Sequence, residues 1–180
     1  MEAAGQQTVA DEFRGLSVDL LEASIKAFFA DHGVSVALDS AEVETERRIA
    51  LPLGAMIGFV SDHARGTLAL AIEPALASAS HPTDGQDDES LSDWAAETAN
   101  QVLGRLKNQL LPFGITLLGD NPMTVSGHAR IGARHRPAVR LGFESSEGAL
   151  RVWWDVQVDD DMVIGRGGEQ ATAEGEVVLF

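Results

Sequence analysis

Apolar residues recur at helical spacing in two separate parts of the chain. In "LSVDLLEASIKAFFADHG", Leu16, Leu20, Leu21, Ile25 and Phe28 fall near one side of a helix, and Gly33 is placed to end it. In the second run, from about Ser92 to Leu110, Ala95, Ala99, Val102, Leu103, Leu106 and Leu110 gather on one side, and Pro112 and Gly114 stop it. The stretch between them, "ERRIALPLGAMIGFVSDHARGTLALAI", reads as strands, with "GAMIGFV" and "GTLALAI" forming a hairpin about "SDHAR". Strand segments follow the second helix at "MTVSGHARIG", "AVRLGFE" and "ALRVWWDVQV". A loop is expected at about 78–91, where "ASASHPTDGQDDES" collects small, turn-forming and acidic residues.

The order helix, strands, helix, strands predicts a duplicated unit. The two helices also end in similar words, "DHGVSVAL" and "PFGITLLG". The fold class expected is α+β: a pseudo-duplicated helix–strands unit, with long helices packed on an antiparallel sheet. The tail from Asp159 to Phe180 is polar and glycine-rich and ends in a short apolar, strand-like piece. It reads as an extension to a domain spanning 1–158.

Composition narrows the functional classes. With 180 residues, 44% of them hydrophobic, the chain can bury a real core. It contains no cysteine, which excludes disulfides, thiolate metal sites and cysteine nucleophiles. The formal net charge of -15 repels phosphate polymers and anionic bilayers, so neither nucleic acid nor membrane is expected as a partner. No apolar run approaches the roughly 20 residues that span a bilayer. The N-terminal "MEAAGQQTVADEF" lacks a basic region followed by an apolar one. A cytoplasmic protein is the expectation, and a partner with a basic patch suits the charge.

The second helix carries the chemistry worth weighing. Opposite its apolar side lie Asp93, Glu97 and Asn100, with Gly104 one turn on. Two readings stand side by side. The stripe is a solvated helix face, or it is a surface on which an acid and an amide one turn apart act on one target. Asp93 has a structural role available, since "SLSD" fits a capping box with Ser90 as N-cap. Gly104 suits either close packing of a neighbouring element or the approach of a partner's backbone.

"DWAAETANQVLGRLKNQL" resembles the motif of the CheC/CheX/FliY chemotaxis phosphatases: Asp or Ser, three residues, Glu, two residues, Asn. The pattern falls on Asp93, Glu97 and Asn100. A CheX-like continuation falls on Gly104, Lys107 and Leu110. "GAMIGFVSDHARGTLALAI" and "GDNPMTVSG" are similar to the family's flanking segments, and the resemblance covers residues 15 to 158. It implies hydrolysis of the phosphoaspartate on a CheY-like response regulator. Glu97 and Asn100 would be catalytic, and Asp93, Gly104 and Lys107 would contact the partner. No cofactor or metal would be held by this chain, and Mg²⁺ would sit on the phosphorylated regulator. A homodimer is also implied. The non-catalytic alternative is a regulator-binding or flagellar-switch-like scaffold. In the first helix Glu22 is followed three residues on by Ile25 rather than an amide, so one active helix per chain is expected, as in CheX.

Other constellations carry less. None of His32, His63, His81, His128 and His135 shows the i, i+4 pairing of a zinc protease. "TVSGH" is not a nucleophile elbow, "GRGGEQ" lacks the third glycine of a dinucleotide loop, and "HARIGARHR" reads as a solvated basic turn. Trp153 and Trp154 must point to opposite faces of a strand. One is expected in the core and the other at a sheet-to-sheet contact between two copies.

Overall fold

The computed structural model describes residues 8–44, 49–83, 87–129 and 138–165. Helix α1 spans Val9–Asp31, strand β1 Ala37–Glu44, β2 Ile49–Val60 and β3 Ala64–Ile72. A short helix α2 covers Pro74–Ser80, and the long α3 covers Asp88–Leu110. After a 3₁₀ turn at Leu111–Phe113 come β4 (Leu118–Gly119), β5 (Met123–Ala129), β6 (Ala138–Ser145) and β7 (Gly148–Val158). The fold is α+β, as expected from the sequence.

The strands make one antiparallel sheet in the order β1-β6-β7-β3-β2. The outer side of β2 is shared, with β4 pairing Phe59–Val60 and β5 pairing the stretch from Ile49 to Met56. Taken as two units, α1-β1-β2-β3 and α3-β5-β6-β7, the order is its own mirror when each strand is exchanged with its counterpart. β3 and β7 pair at the centre, and each unit lends its first strand to the other unit's edge. The sheet therefore carries the duplication as a pseudo-twofold arrangement.

Both helices end in the same cap. Gly33 and Gly114 each have φ 76°, a backbone region that glycine enters without a Cβ penalty. The Gly33 N–H donates to the Ala30 carbonyl and the Val34 N–H to the Phe29 carbonyl. At the second cap the Gly114 N–H donates to Leu111 and the Ile115 N–H to Leu110. This paired pattern is the Schellman motif, which satisfies the last helix carbonyls. It sets the register between the halves at 81 residues. In that register Phe13, Ser17, Leu21, Ile25 and Phe29 match Trp94, Thr98, Val102, Leu106 and Leu110, and all ten are buried.

The core lies between the helices and one face of the sheet. Trp154 is fully buried there, stacked on Phe59 with ring centroids 4.5 Å apart. Its indole N–H donates to Ser17 Oγ at 2.9 Å, so the buried polar atom has its partner. Each fully buried Leu, Ile or Phe contributes about 1.5–3 kcal/mol. Trp153 points the other way, as expected. It is not left open for a second copy, being only 5% exposed and donating to Glu44 at 3.0 Å.

Several boundaries differ from prediction, among them the start of α3, which lies at Asp88 rather than about Ser92. α1 begins at Val9 because Thr8 caps it: its hydroxyl accepts from the Asp11 N–H while the Asp11 carboxylate accepts from the Thr8 N–H. α2 takes up the first part of the expected loop; it is seven residues of mostly small side chains, opened by Pro74. β1 carries no strand signal in the sequence, because as an edge strand it is mostly exposed and shows no apolar alternation. The basic cluster and the apolar terminal piece lie at or beyond the limits of the described residues.

Candidate functional site

Helix α3 is held along most of one face. Trp94, Ala95, Thr98, Ala99, Val102, Leu103, Leu106 and Leu110 are all buried, which includes every position predicted for that face. Its N-terminus is tied down by Trp94, whose indole N–H donates to Ser80 Oγ at 3.1 Å. The ring also lies near His32, which caps the end of α1, and His81 after α2, with centroids 5.0 and 5.2 Å away. Arg105 reaches across to Asp31 at the end of α1 at 2.6 Å. A helix fixed this way presents its free face as a rigid surface.

That face displays Asp93, Glu97 and Asn100, all exposed, with half-exposed Gly104 and Lys107 further along. Three residues separate Glu97 from Asn100, so they are neighbours one turn apart. Glu97 Oε1 accepts from Gln101 Nε2 at 2.8 Å. Among the described residues Glu97 is in no ion pair, as is common in a chain with 28 Asp and Glu against 13 Lys and Arg, while Glu22, Asp31, Glu42, Glu44 and Glu144 are each matched to a lysine or arginine.

The capping role expected for Asp93 is not what the structure has. The helix starts at Asp88, and Asp87 is the N-cap, its carboxylate accepting from the Ser90 N–H at 2.9 Å. Ser90 is therefore inside the helix, and its hydroxyl lies 3.2 Å from His81 Nε2. Asp93 is one and a half turns in, too far to cap. Of the two explanations for Gly104, close packing fails, since a Cβ there would meet nothing within 4 Å. Glycine at this place costs helix stability, about 1 kcal/mol, with no internal contact to require it.

The helix register also corrects the comparison with α1. At an offset of 81 residues the counterparts of Glu97 and Asn100 are Leu16 and Asp19, not Glu22 and Ile25. Glu22 is paired with Lys26, and Ile25 is buried. The α1 face still lacks the acid and the amide.

One group escaped the sequence pattern. His63, in the β2–β3 turn, lies with Asp159 and Asp161 after β7, their donor atoms within 4.8 Å of one another. His63 Nδ1 is 3.1 Å from Asp161 Oδ1. The three come from sites almost a hundred residues apart, so no local spacing announces them. They are not on the α3 face.

No protein-family model matches the sequence, and no curated protein matches it. Solved structures do match its shape. CheX from Desulfovibrio desulfuricans is 16% identical with a TM-score of 0.68, covering 79% of this chain and 99% of its own. CheX from Vibrio vulnificus is 19% identical with a TM-score of 0.67, over 79% of this chain and 99% of its own. CheX from Borrelia burgdorferi, in a complex with CheY, BeF₃ and Mg²⁺, is 14% identical with a TM-score of 0.58, over 78% and 95%. The chain thus has the fold of the CheX-like chemotaxis proteins.

Proposed function

We propose that this protein is a CheX-like phosphatase that hydrolyses the phosphoaspartate of a CheY-like response regulator. The observation that carries the reading is the free face of α3: an exposed acid and an exposed amide one turn apart, on a helix whose other side is fixed, beside a glycine with open space over it. The shared fold supports it, as does the assembly of one such structure with CheY.

In this reading α3 inserts its free face into the regulator's active site. The Asn100 amide accepts a hydrogen bond from water through its oxygen and donates through its nitrogen. It is too weak a base to take the proton, so its work is to hold the water in line with phosphorus. Glu97 pairs with a lysine of the regulator, and an ion pair formed where water is excluded is stronger than one on a surface. Asp93, Gly104 and Lys107 meet the regulator's surface, Gly104 giving its backbone room. Mg²⁺ is supplied by the regulator, not by this chain. The setting is cytoplasmic, and a homodimer is compatible with it. No helix among the described residues is long and apolar enough to cross a membrane.

The test is to mix the protein with a panel of phosphorylated response regulators in Mg²⁺ and follow phosphate release. Accelerated loss from one regulator, abolished by Asn100→Ala, is the expected result. Binding without acceleration would instead identify a scaffold.

A further inference from the structure

At the i, i+4 position from a surface glutamate, lysine or arginine is the common stabilising partner. At Glu97 that position holds Gln101, whose Nε2 donates to Glu97 Oε1 at 2.8 Å. An amide differs from a cation in what it leaves behind. It fixes one carboxylate oxygen but does not cancel the charge, and it leaves the second oxygen open to another donor.

The neighbouring cations of α3 are kept away. Arg105, one turn beyond Gln101, is drawn sideways to Asp31 of α1 at 2.6 Å. Lys107 is ten residues past Glu97, about 15 Å along the axis at the α-helical rise. Glu97 is thus oriented by its own helix while its charge stays unmatched among the described residues.

We infer that Gln101 is a positioning residue: it holds the Glu97 carboxylate in a set rotamer, charge intact, for a cationic group of the partner. This rests on the regulator-docking reading above. Gln101 touches neither the regulator's phosphoryl group nor the water, and it acts only through Glu97. Its effect belongs in association rather than in the chemical step.

The probe is the CheY-like regulator identified by the phosphatase panel, loaded with beryllofluoride and Mg²⁺ for binding and phosphorylated for turnover. Gln101→Met keeps the length and loses the donor, and should weaken association up to about twofold. Gln101→Lys supplies an internal cation that captures Glu97, and should weaken association roughly tenfold, raising KM while kcat at saturating regulator stays near that of the parent. In a Glu97→Gln background, Gln101→Lys should have no further effect, because there is no charge left to capture. Val43→Lys, on the distant β1 edge, adds the same charge as a control and should bind as the parent does. The inference is overturned if Gln101→Lys binds normally, if its loss adds fully to that of Glu97→Gln, or if Val43→Lys reproduces it. Failure of the underlying reading looks different: Asn100→Ala would leave hydrolysis unchanged.

Discussion

Gly33 and Gly114 occupy the same station in two copies of one helix cap, each at φ 76° with the same pair of closing hydrogen bonds. A Cβ at either position meets no neighbour within 4 Å. Any cost of a side chain there is therefore backbone strain rather than a clash. Gly114→Ala should destabilise the fold by about 1–2 kcal/mol, since a left-handed residue other than glycine costs that much. Denaturant unfolding measures it; an unchanged midpoint at unchanged slope would mean the cap relaxes freely.

Leu106 is fully buried on the side of α3 opposite Glu97 and Asn100. Leu106→Ala should cost about 2–5 kcal/mol of stability and reduce activity only by the fraction unfolded. Asn100→Ala should do the reverse. Its side chain is exposed, so stability should shift by no more than about 0.5 kcal/mol. Hydrolysis should fall on the order of a hundredfold, equivalent to roughly 2.7 kcal/mol of barrier, with regulator binding retained. Parallel melting and single-turnover measurements on both variants separate the two faces of one helix. An Asn100→Ala protein with full turnover leaves the stripe as no more than a wetted surface.

The same helix shows why some of the molecule was legible in the sequence. Its buried residues recur every three or four positions from Trp94 to Leu110, about four and a half turns, so its packing side is readable without coordinates. The cap was not. Ser90 and Asp93 have the spacing of a capping box, but so does Asp87 with Ser90; the helix starts at the earlier pair, where Asp87 accepts from the Ser90 N–H and His81, outside the helix, lies against Ser90 and Trp94. The duplication was visible in the words around Gly33 and Gly114, but its register was not, and Glu22 was compared with Glu97 one and a half turns out of place. Gln101 was invisible as a functional residue because nothing in its identity distinguishes a surface glutamine that bonds Glu97 from one that bonds water.

Association with the regulator should weaken as salt rises. The net charge is -15, and Glu97 makes no ion pair among the described residues, so attraction to a basic surface contributes to encounter. Binding measured across an ionic-strength series should show a falling association rate with little change in dissociation. An association rate that is flat from low to high salt would remove the electrostatic contribution.

Titrating Mg²⁺ into the isolated protein should give no stoichiometric binding, because in this mechanism the metal belongs to the regulator. The place to watch is His63 with Asp159 and Asp161, whose donor atoms converge within 4.8 Å. His63→Ala should leave phosphatase activity unchanged, since the group is not on the α3 face. A tightly held metal that is lost with His63, together with loss of hydrolysis, would assign the ion to this chain and contradict the mechanism.

Gly104 supplies the sharpest contrast between what is good for the fold and what is good for docking. It lies inside a regular helix, and nothing within 4 Å would meet a Cβ there. By intrinsic propensity alone Gly104→Ala should stabilise the protein by about 1 kcal/mol. If α3 must let a partner's backbone come close, the added methyl group should at the same time weaken regulator association, and Gly104→Leu should weaken it further. Stability and affinity would then move in opposite directions on one surface position. Thermal unfolding and equilibrium binding of the parent and the two variants give both quantities. A Gly104→Ala protein that is more stable and binds equally well would show that the glycine leaves room for nothing, and the docking geometry would have to be withdrawn.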